Sequence, residues 1–570
     1  MFYGRKVLQE KIVRARTNSP TPAIEKFDGV DYVPANKYVL FGHHFASIAG
    51  AGPIVGPAIA MAYGWALPLL WVLFGNVFIG TVHDYLALMA SVRHGGISIM
   101  SVSESVMGRR ARYIFLAYTF MALLLVYAAF ASIAALLLVS SPSAATLSIL
   151  YMPIALFMGI MMYRIGIDTR IATIITLALV AGAFYYSYYT PFHIGPAENW
   201  NAYHKWVIVL GIYSILAASL PVWYLLQPRD YTNSYILFAF VGLSVIGGLL
   251  VADKILVGPA YTSFAPKIAG FANQPTPFWP AIPLIIACGS LSGFHSLVSS
   301  GTTSKQLANE LEGLFVGYGA MLTEGALSTL AVIIPISLAW DASVLKEANI
   351  FEENILELSP VKRFAVGYGY MLGVGLSRIG IDYAAAFKVF NLFAVISLIL
   401  FVMTTLDTAT RLARFAFQEM IDWMERVSRP LYTVLANKWV ASLIVVLIGS
   451  AMAYPIVDIE GQQVAAFRVV WPAFAGVNQM LAALALLTSA LWVYAVLRIR
   501  GTYSWLILIP AMFLWVTVTV GLAWWLVVVA TKLPLVQQVG AGSIALISLI
   551  LNLILIVLFS KGLSRARASL

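Results

Sequence analysis

Residues Phe41–Pro57 read FGHHFASIAGAGPIVGP, an apolar run interrupted by four glycines and two prolines. Inside a bilayer every backbone N–H and C=O needs a partner, so broken helix persists there only where protein or a water-filled cavity satisfies the freed groups. Secondary transporters use such breaks to hold a solute: half-helix N-termini face its anionic groups, and unwound carbonyls face a coupling cation. The plainer alternative is a continuous helix whose glycines admit a close neighbour. The first reading predicts a non-helical gap from Gly50 to Gly56, with Ser47, Gly50, Gly52 and Gly56 as substrate-binding residues.

The rest of the chain supports a membrane setting. Of its 570 residues 61% are hydrophobic and 11% charged, and its mean hydropathy of +0.87 is far above that of a soluble domain. The formal charge of +10 is spread over tails and short loops, where it sets topology, so no nucleic-acid partner is expected. The lone Cys288 can form no intramolecular disulfide. Residues 1–38 carry Arg5, Lys6, Lys11, Arg14 and Arg16 and lack the apolar core of a signal peptide, which predicts a basic cytoplasmic tail.

Apolar runs near 39–60, 65–92, 113–139, 147–163, 171–190, 206–226, 234–252, 281–302 and 314–339 follow. Alternate loops carry Arg93, Arg109, Arg110 and Arg112, then Arg164 and Arg170, then Arg229, then Lys305, all on the side of the basic tail by the positive-inside rule. The acidic stretch holding Asp341, Glu347, Glu352, Glu353 and Glu357 falls on the other side. Parity then requires an odd number of crossings between this stretch and Arg411, Arg414, Arg426 and Arg429, so GYGYMLGVGLSRIG is read as a broken or re-entrant entry and 384–408 as completing a single crossing. The domain plan is a cytoplasmic tail at 1–38, a transporter core of about ten crossings at 39–408, an amphipathic cytoplasmic segment at 409–435, further membrane helices at 436–562 and a cytoplasmic tail at 563–570. Both termini are cytoplasmic, with about 14 crossings. Segments 191–205, 253–280 and 340–362 are candidate lids.

Ionisable residues at membrane depth are expensive and point to function. Counting the helical rise of 1.5 Å per residue, His43 and His44 on the first run, His83 and Asp84 on the second, and His295, Ser299, Ser300, Thr302 and Thr303 on the eighth fall at one level. Glu324 lies near mid-membrane on the ninth. These ten are the candidate coupling-ion or proton residues, with the proton carrier expected among His44, His83, Asp84 and His295 rather than on Asp407. Histidines can also be packing residues, the hydroxyls can bond their own helix carbonyls, and Asp407 can pair with Arg411 one turn on. In LPVWYLLQPRDY, Pro221 is expected to kink the sixth span, and Trp223, Tyr224 and Gln227 join the substrate-binding candidates. Asn478 and Gln479 suit interhelical hydrogen bonds.

These residues resemble the carbon starvation protein A family of inner-membrane transporters. The resemblance rests on DGVDYVPANKYVLFGHHFASIAGAGPIVGP, GTVHDYLALMASVR, LPVWYLLQPRDY, SGFHSLVSSGTTSKQ, GYGAMLTEGAL and TTLDTATRLARF and spans nearly the whole chain. It implies uptake of pyruvate or peptides during nutrient limitation and a place among the amino acid, polyamine and organocation transporters. The implied fold is all-α, of leucine-transporter type, with inverted five-helix repeats, broken first and sixth helices and extra C-terminal helices. In sodium-coupled members of that fold a cation lies between the first and eighth helices, which directs attention to Ser299, Ser300, Thr302 and Thr303 opposite carbonyls near Ser47–Gly50. Familiar members carry about two further helices ahead of the DGxDYVP motif.

The expected function is therefore secondary active import of a small carboxylate-bearing nutrient, proton- or sodium-coupled, with the bilayer and a small solute as partners and no cofactor beyond the coupling cation. A starvation-sensing receptor and a channel are the alternatives. A metal-dependent membrane enzyme is disfavoured because no HExxH or repeated histidine box is present, and no GxxxxGK[ST] loop points to ATP.

Overall fold

The computed structural model describes residues 2–17, 19–196, 200–254, 258–338, 355–459 and 462–568. It is helical almost throughout. Among the described residues eleven helices are long and apolar enough to cross a membrane, or up to thirteen if each of two bent pairs is one span; the interrupted stretch Phe278–Gly301 stands beside them.

The first span breaks where its glycines cluster. Helix α1 (Lys37–Ile48) starts at an Asn36 N-cap and stops at Ile48, and α2 (Gly52–Ala60) resumes with Pro53 in its first turn, at a bend of 44°. The gap is Ala49–Ala51, shorter than the expected Gly50–Gly56, because Pro53 is preorganised for a helix start. Close approach explains Gly52: a Cβ there would stand 2.4 Å from Cys288 Sγ.

Six spans follow: α3 (Ala66–Arg93), α4 (Arg109–Ser140), α5 (Pro142–Ile165), α6 (Thr169–Tyr189), α7 (Asn201–Ser219) and α8 (Leu226–Leu250). The expected kink at Pro221 is instead a stop. Leu220 is extended (φ −70°, ψ 154°), as a residue before proline must be, and Trp223 and Tyr224 lie in the turn before α8. The mate of the first break is therefore in the eighth span of the chain, not the sixth. There α9 (Phe278–Ile285) and α10 (Gly293–Gly301) flank the non-helical Ile286–Ser292. With six crossings between them, the two broken spans run in opposite directions.

Beyond α11 (Glu310–Ile336), residues Asp341, Glu347, Glu352 and Glu353 of the acidic stretch, and most of the third candidate lid, lie outside the described residues. Helix α12 (Pro360–Ser377) is held at one face by both ends: Arg363 Nη1 donates to Ala58 O near the end of α2 (2.8 Å) and Arg378 Nη1 to Leu250 O at the end of α8 (2.8 Å). It folds back on α13 (Tyr383–Met420), so the two supply one crossing, as charge parity requires. Five more helices follow among the described residues: α14 (Arg429–Leu435) bent 64° into α15 (Lys438–Ala453), then α16 (Phe467–Ala495), α17 (Thr502–Lys532) and α18 (Leu535–Ala568). The one sheet among the described residues is a hairpin, Ile456–Ile459 with Gln462–Ala465. The N-terminal residues are folded too: Tyr3–Val13 is helical, buries Leu8, Ile12 and Val13, and Gln9 Nε2 donates to Leu311 O (3.0 Å).

Candidate functional site

The two breaks face one cavity. Gly50, Gly52 and Gly56 line it from the first span, Cys288 and Ser292 from the second break, Thr405 from α13 and Asn478 from α16, with Phe130, Phe294, Trp471 and Phe474 as aromatic walls. No lining side chain is charged. Its volume is small, about 30 Å³. Asn478 serves the interhelical role expected of it, accepting from Phe294 N–H at the head of α10 (3.0 Å) and donating to Ala287 O (3.2 Å).

A buried cluster stands on one side of the breaks. Asp84 Oδ1 lies 2.8 Å from His83 Nδ1, and Oδ2 lies 3.4 Å from His295 Nδ1 and 3.9 Å from His44 Nε2. His295 Nε2 is in turn 3.5 Å from Glu324 Oε2. All five side chains are fully buried. Depth counting along separate helices thus identified residues that do meet. Cys288, the donor that depth counting passed over, joins His295 and Glu324 from the second break.

A second buried network lies beside the first. His43 Nδ1 is 2.6 Å from Asp230 Oδ2. Arg229 Nη2 donates to Asp230 Oδ1 (2.6 Å) and Asp407 Oδ1 (2.9 Å), while Nη1 contacts Asp407 and Tyr213. Tyr213 OH donates to Asp407 Oδ2 (2.9 Å). Every member but Tyr213 is at most 1% exposed. Sequence reasoning missed most of it: Arg229 was counted as a loop charge, yet it is in the first turns of α8, and its neighbours Gln227 and Asp230 inside an otherwise apolar stretch were the available signal.

The eighth-span hydroxyls do not stand free opposite Ser47–Gly50. Thr302 Oγ1 lies 3.2 Å from His43 Nε2 and Thr303 Oγ1 2.8 Å from His44 Nδ1. Ser300 Oγ donates to Ser296 O (2.7 Å) and accepts from Ile99 N–H, and Ser299 Oγ is buried without a partner. The hydroxyl at the first break belongs to α13, where Thr405 Oγ1 donates to Ser47 O (3.2 Å). Ser47 itself turns its Oγ away from the cavity, towards Thr408 Oγ1 (3.2 Å) and Asp230 Oδ2 (3.5 Å).

Trp223, Tyr224 and Gln227 are not at the cavity. Trp223 Nε1 donates to Gly29 O (3.2 Å) and its ring packs on Tyr163 and under Arg164; Tyr224 packs edge-on against Trp223; Gln227 Nε2 donates to Gln306 Oε1 (2.6 Å). Asp407 does not pair with Arg411 either. Arg411 and Arg414 both reach Asp31 (2.5 and 2.9 Å) and tie the segment before α1 to the end of α13. Burial alone would raise the Asp31 pKa, but the guanidiniums of Arg414 and Arg411 hold it down at about 2.

The model of the family described as Carbon starvation protein CstA matches residues 1–354 and 338–521. Peptide transporter CstA of Escherichia coli strain K12 is 32% identical over 579 residues, covering 91% of this chain and 78% of that protein. Pyruvate/proton symporter BtsT of the same strain is 31% identical over 572 residues (90% and 78%), and Peptide transporter CstA of Bacillus subtilis strain 168 is 30% identical over 585 residues (98% and 93%). Among solved structures, a manganese transporter of Eremococcus coleocola superposes with a TM-score of 0.51 at 13% identity, over 94% of this chain and 99% of that one, which gives the fold as leucine-transporter type. This chain, a multi-pass membrane protein, belongs to the carbon starvation protein CstA family.

Proposed function

We propose that the chain is a proton-coupled secondary importer of a small monocarboxylate, of which pyruvate is the type, working in the cytoplasmic membrane during nutrient shortage with both termini inside. One observation carries the reading: the head of α2, at Gly52, borders a small apolar cavity whose lining holds no charged side chain. The first N–H groups of a helix lack intrahelical partners and favour an anion. A carboxylate is satisfied there without a basic residue, whereas the ammonium of a peptide would find no carboxylate in the lining.

Coupling follows from charge in the His43 network. One guanidinium, Arg229, faces two carboxylates, Asp230 and Asp407, at full burial. An unbalanced charge at that depth is costly, so neutrality calls for one proton shared by His43 and its carboxylate partner. That proton links α1 to α8, and Thr405, two residues before Asp407, reaches the break through Ser47 O. The second reading is sodium, favoured by the hydroxyls of Thr405 and Thr408 beside Ser47.

Proteoliposomes decide among these. An inward proton gradient without sodium is expected to drive accumulation of labelled pyruvate, with di- and tripeptides competing poorly. Uptake driven only by sodium moves the coupling to the hydroxyl site, and transport of peptides but no monocarboxylate ends the substrate assignment.

A further inference from the structure

Beside the second break, donors suited to a metal ion converge from three separate elements. Cys288 Sγ, a ring nitrogen of His295 and a carboxylate oxygen of Glu324 all lie within 4.8 Å of one another. Cys288 belongs to the break itself, His295 to the first turn of α10 and Glu324 to α11. His295 Nε2 and both Glu324 oxygens are buried without a hydrogen-bond partner. Buried polar atoms are normally paired, and leaving several bare in one place is costly unless something occupies the space between them.

The far side of the imidazole supplies an independent sign. His295 Nδ1 faces Asp84 Oδ2 at 3.4 Å, with Met321 Sδ at 3.2 Å from the same nitrogen, and Asp84 Oδ1 is fixed by His83 Nδ1 at 2.8 Å. A carboxylate on one imidazole nitrogen sets the tautomer and presents the other nitrogen's lone pair to a metal. Here that other nitrogen, Nε2, is the unpartnered one aimed at Glu324.

We infer that Cys288, His295 and Glu324 form a binding site for a borderline divalent cation of the zinc and cobalt class, with Asp84 as the residue that orients His295. One thiolate, one imidazole and one carboxylate match the ligand preferences of such ions, whereas magnesium and calcium take oxygen alone. Bond lengths of about 2.0 to 2.3 Å ask the three side chains to close in by rotamer changes from their present spread. Cys288 also lines the solute cavity, so a three-coordinate ion there is completed by water or by an oxygen of the solute.

The test uses full-length, tag-free protein in detergent, stripped with a chelator and titrated with Co²⁺. Cys288 is the chain's only cysteine, so a thiolate-to-cobalt absorption band reports this site alone. Saturable binding with that band, displaced by Zn²⁺ and abolished in Cys288→Ser, is the expected result. In Asp84→Asn the band persists while affinity falls about 10- to 100-fold. Glu324→Gln, which keeps the side-chain shape, weakens binding likewise and is the control should Asp84→Asn not fold. Failure of the folded wild type to bind Co²⁺ saturably, or binding that is unchanged in Cys288→Ser, overturns the site. The readout contains no transport step, so it stands or falls separately from the import assignment.

Discussion

His43 Nδ1 and Asp230 Oδ2, 187 residues apart in sequence, lie 2.6 Å from each other and join the inner half of the broken first span to α8 in full burial. On its other nitrogen the same imidazole meets Thr302 Oγ1 at 3.2 Å. One side chain thus ties both broken spans to the framework.

Replacing the imidazole separates coupling from binding. His43→Gln is expected to lower gradient-driven accumulation at least about tenfold while solute exchange at zero gradient persists, since exchange needs the cavity but no net proton movement. Stranding a buried charge typically costs about 3 to 5 kcal/mol, so Asp230→Asn in the His43→Gln background should recover thermal stability without recovering accumulation. Uphill transport by His43→Gln at wild-type rate would remove His43 as the coupling residue.

The break depends on contacts that tolerate no side chain. A Cβ at Gly50 would stand 2.5 Å from Thr405 Oγ1, and at Gly52 2.4 Å from Cys288 Sγ. Gly50→Leu and Gly52→Leu should insert into the membrane yet lose uptake by more than about tenfold, because overpacking forces the first break away from α13 in the one and from the second break in the other. Normal uptake in either variant would place the solute elsewhere.

Asp31 predicts a pH signature of stability. Its carboxyl, held at about 2 against an ordinary value of 3.8, is a depressed acid, so its contribution is complete above pH 3.8 and is lost as pH falls towards 2. At 1.36 kcal/mol per pKa unit, the latch to Arg411 and Arg414 contributes on the order of 2 kcal/mol at neutral pH. Asp31→Asn should therefore lower the melting temperature equally at pH 5 and pH 8, and a difference that varies between those values would contradict the assignment.

What the sequence revealed follows from which signals are local. The first break was legible because glycines and a proline clustered at Gly50, Gly52 and Pro53 weaken helix and suit a restart, and the common depth of His44, Asp84 and His295 was legible because a fixed rise per residue converts sequence position into depth, whereas their meeting depends on which helix faces turn together. The partner break was misplaced because Pro221 is as strong a breaker as Pro280 or Pro283. Only packing tells that the first ends a span while the glycine and serines of Ile286–Ser292 open one. The Arg229 network was hidden for a similar reason. Counting basic residues assigns Arg229 to a side of the membrane, but says nothing of a carboxylate 178 residues away that draws it inside.

The aromatic residues offer the sharpest test of where the solute sits, because sequence and structure nominate different ones. Trp223 and Tyr224 pack on each other, with Trp223 also against Tyr163 and Gly29, whereas Phe130 and Trp471 wall the cavity between the breaks. Trp471→Ala and Phe130→Ala remove apolar surface that a bound solute covers, and losing about 1 to 3 kcal/mol of such contact corresponds to a rise in KM of about 5- to 150-fold. Trp223→Ala and Tyr224→Ala leave the cavity untouched, so KM for pyruvate should hold within about twofold even if the loss of packing slows turnover. Initial-rate uptake across a range of pyruvate concentrations separates the two effects. A large KM increase in Trp223→Ala with none in Trp471→Ala would move the solute out of the cavity between the breaks and towards the turn that precedes α8.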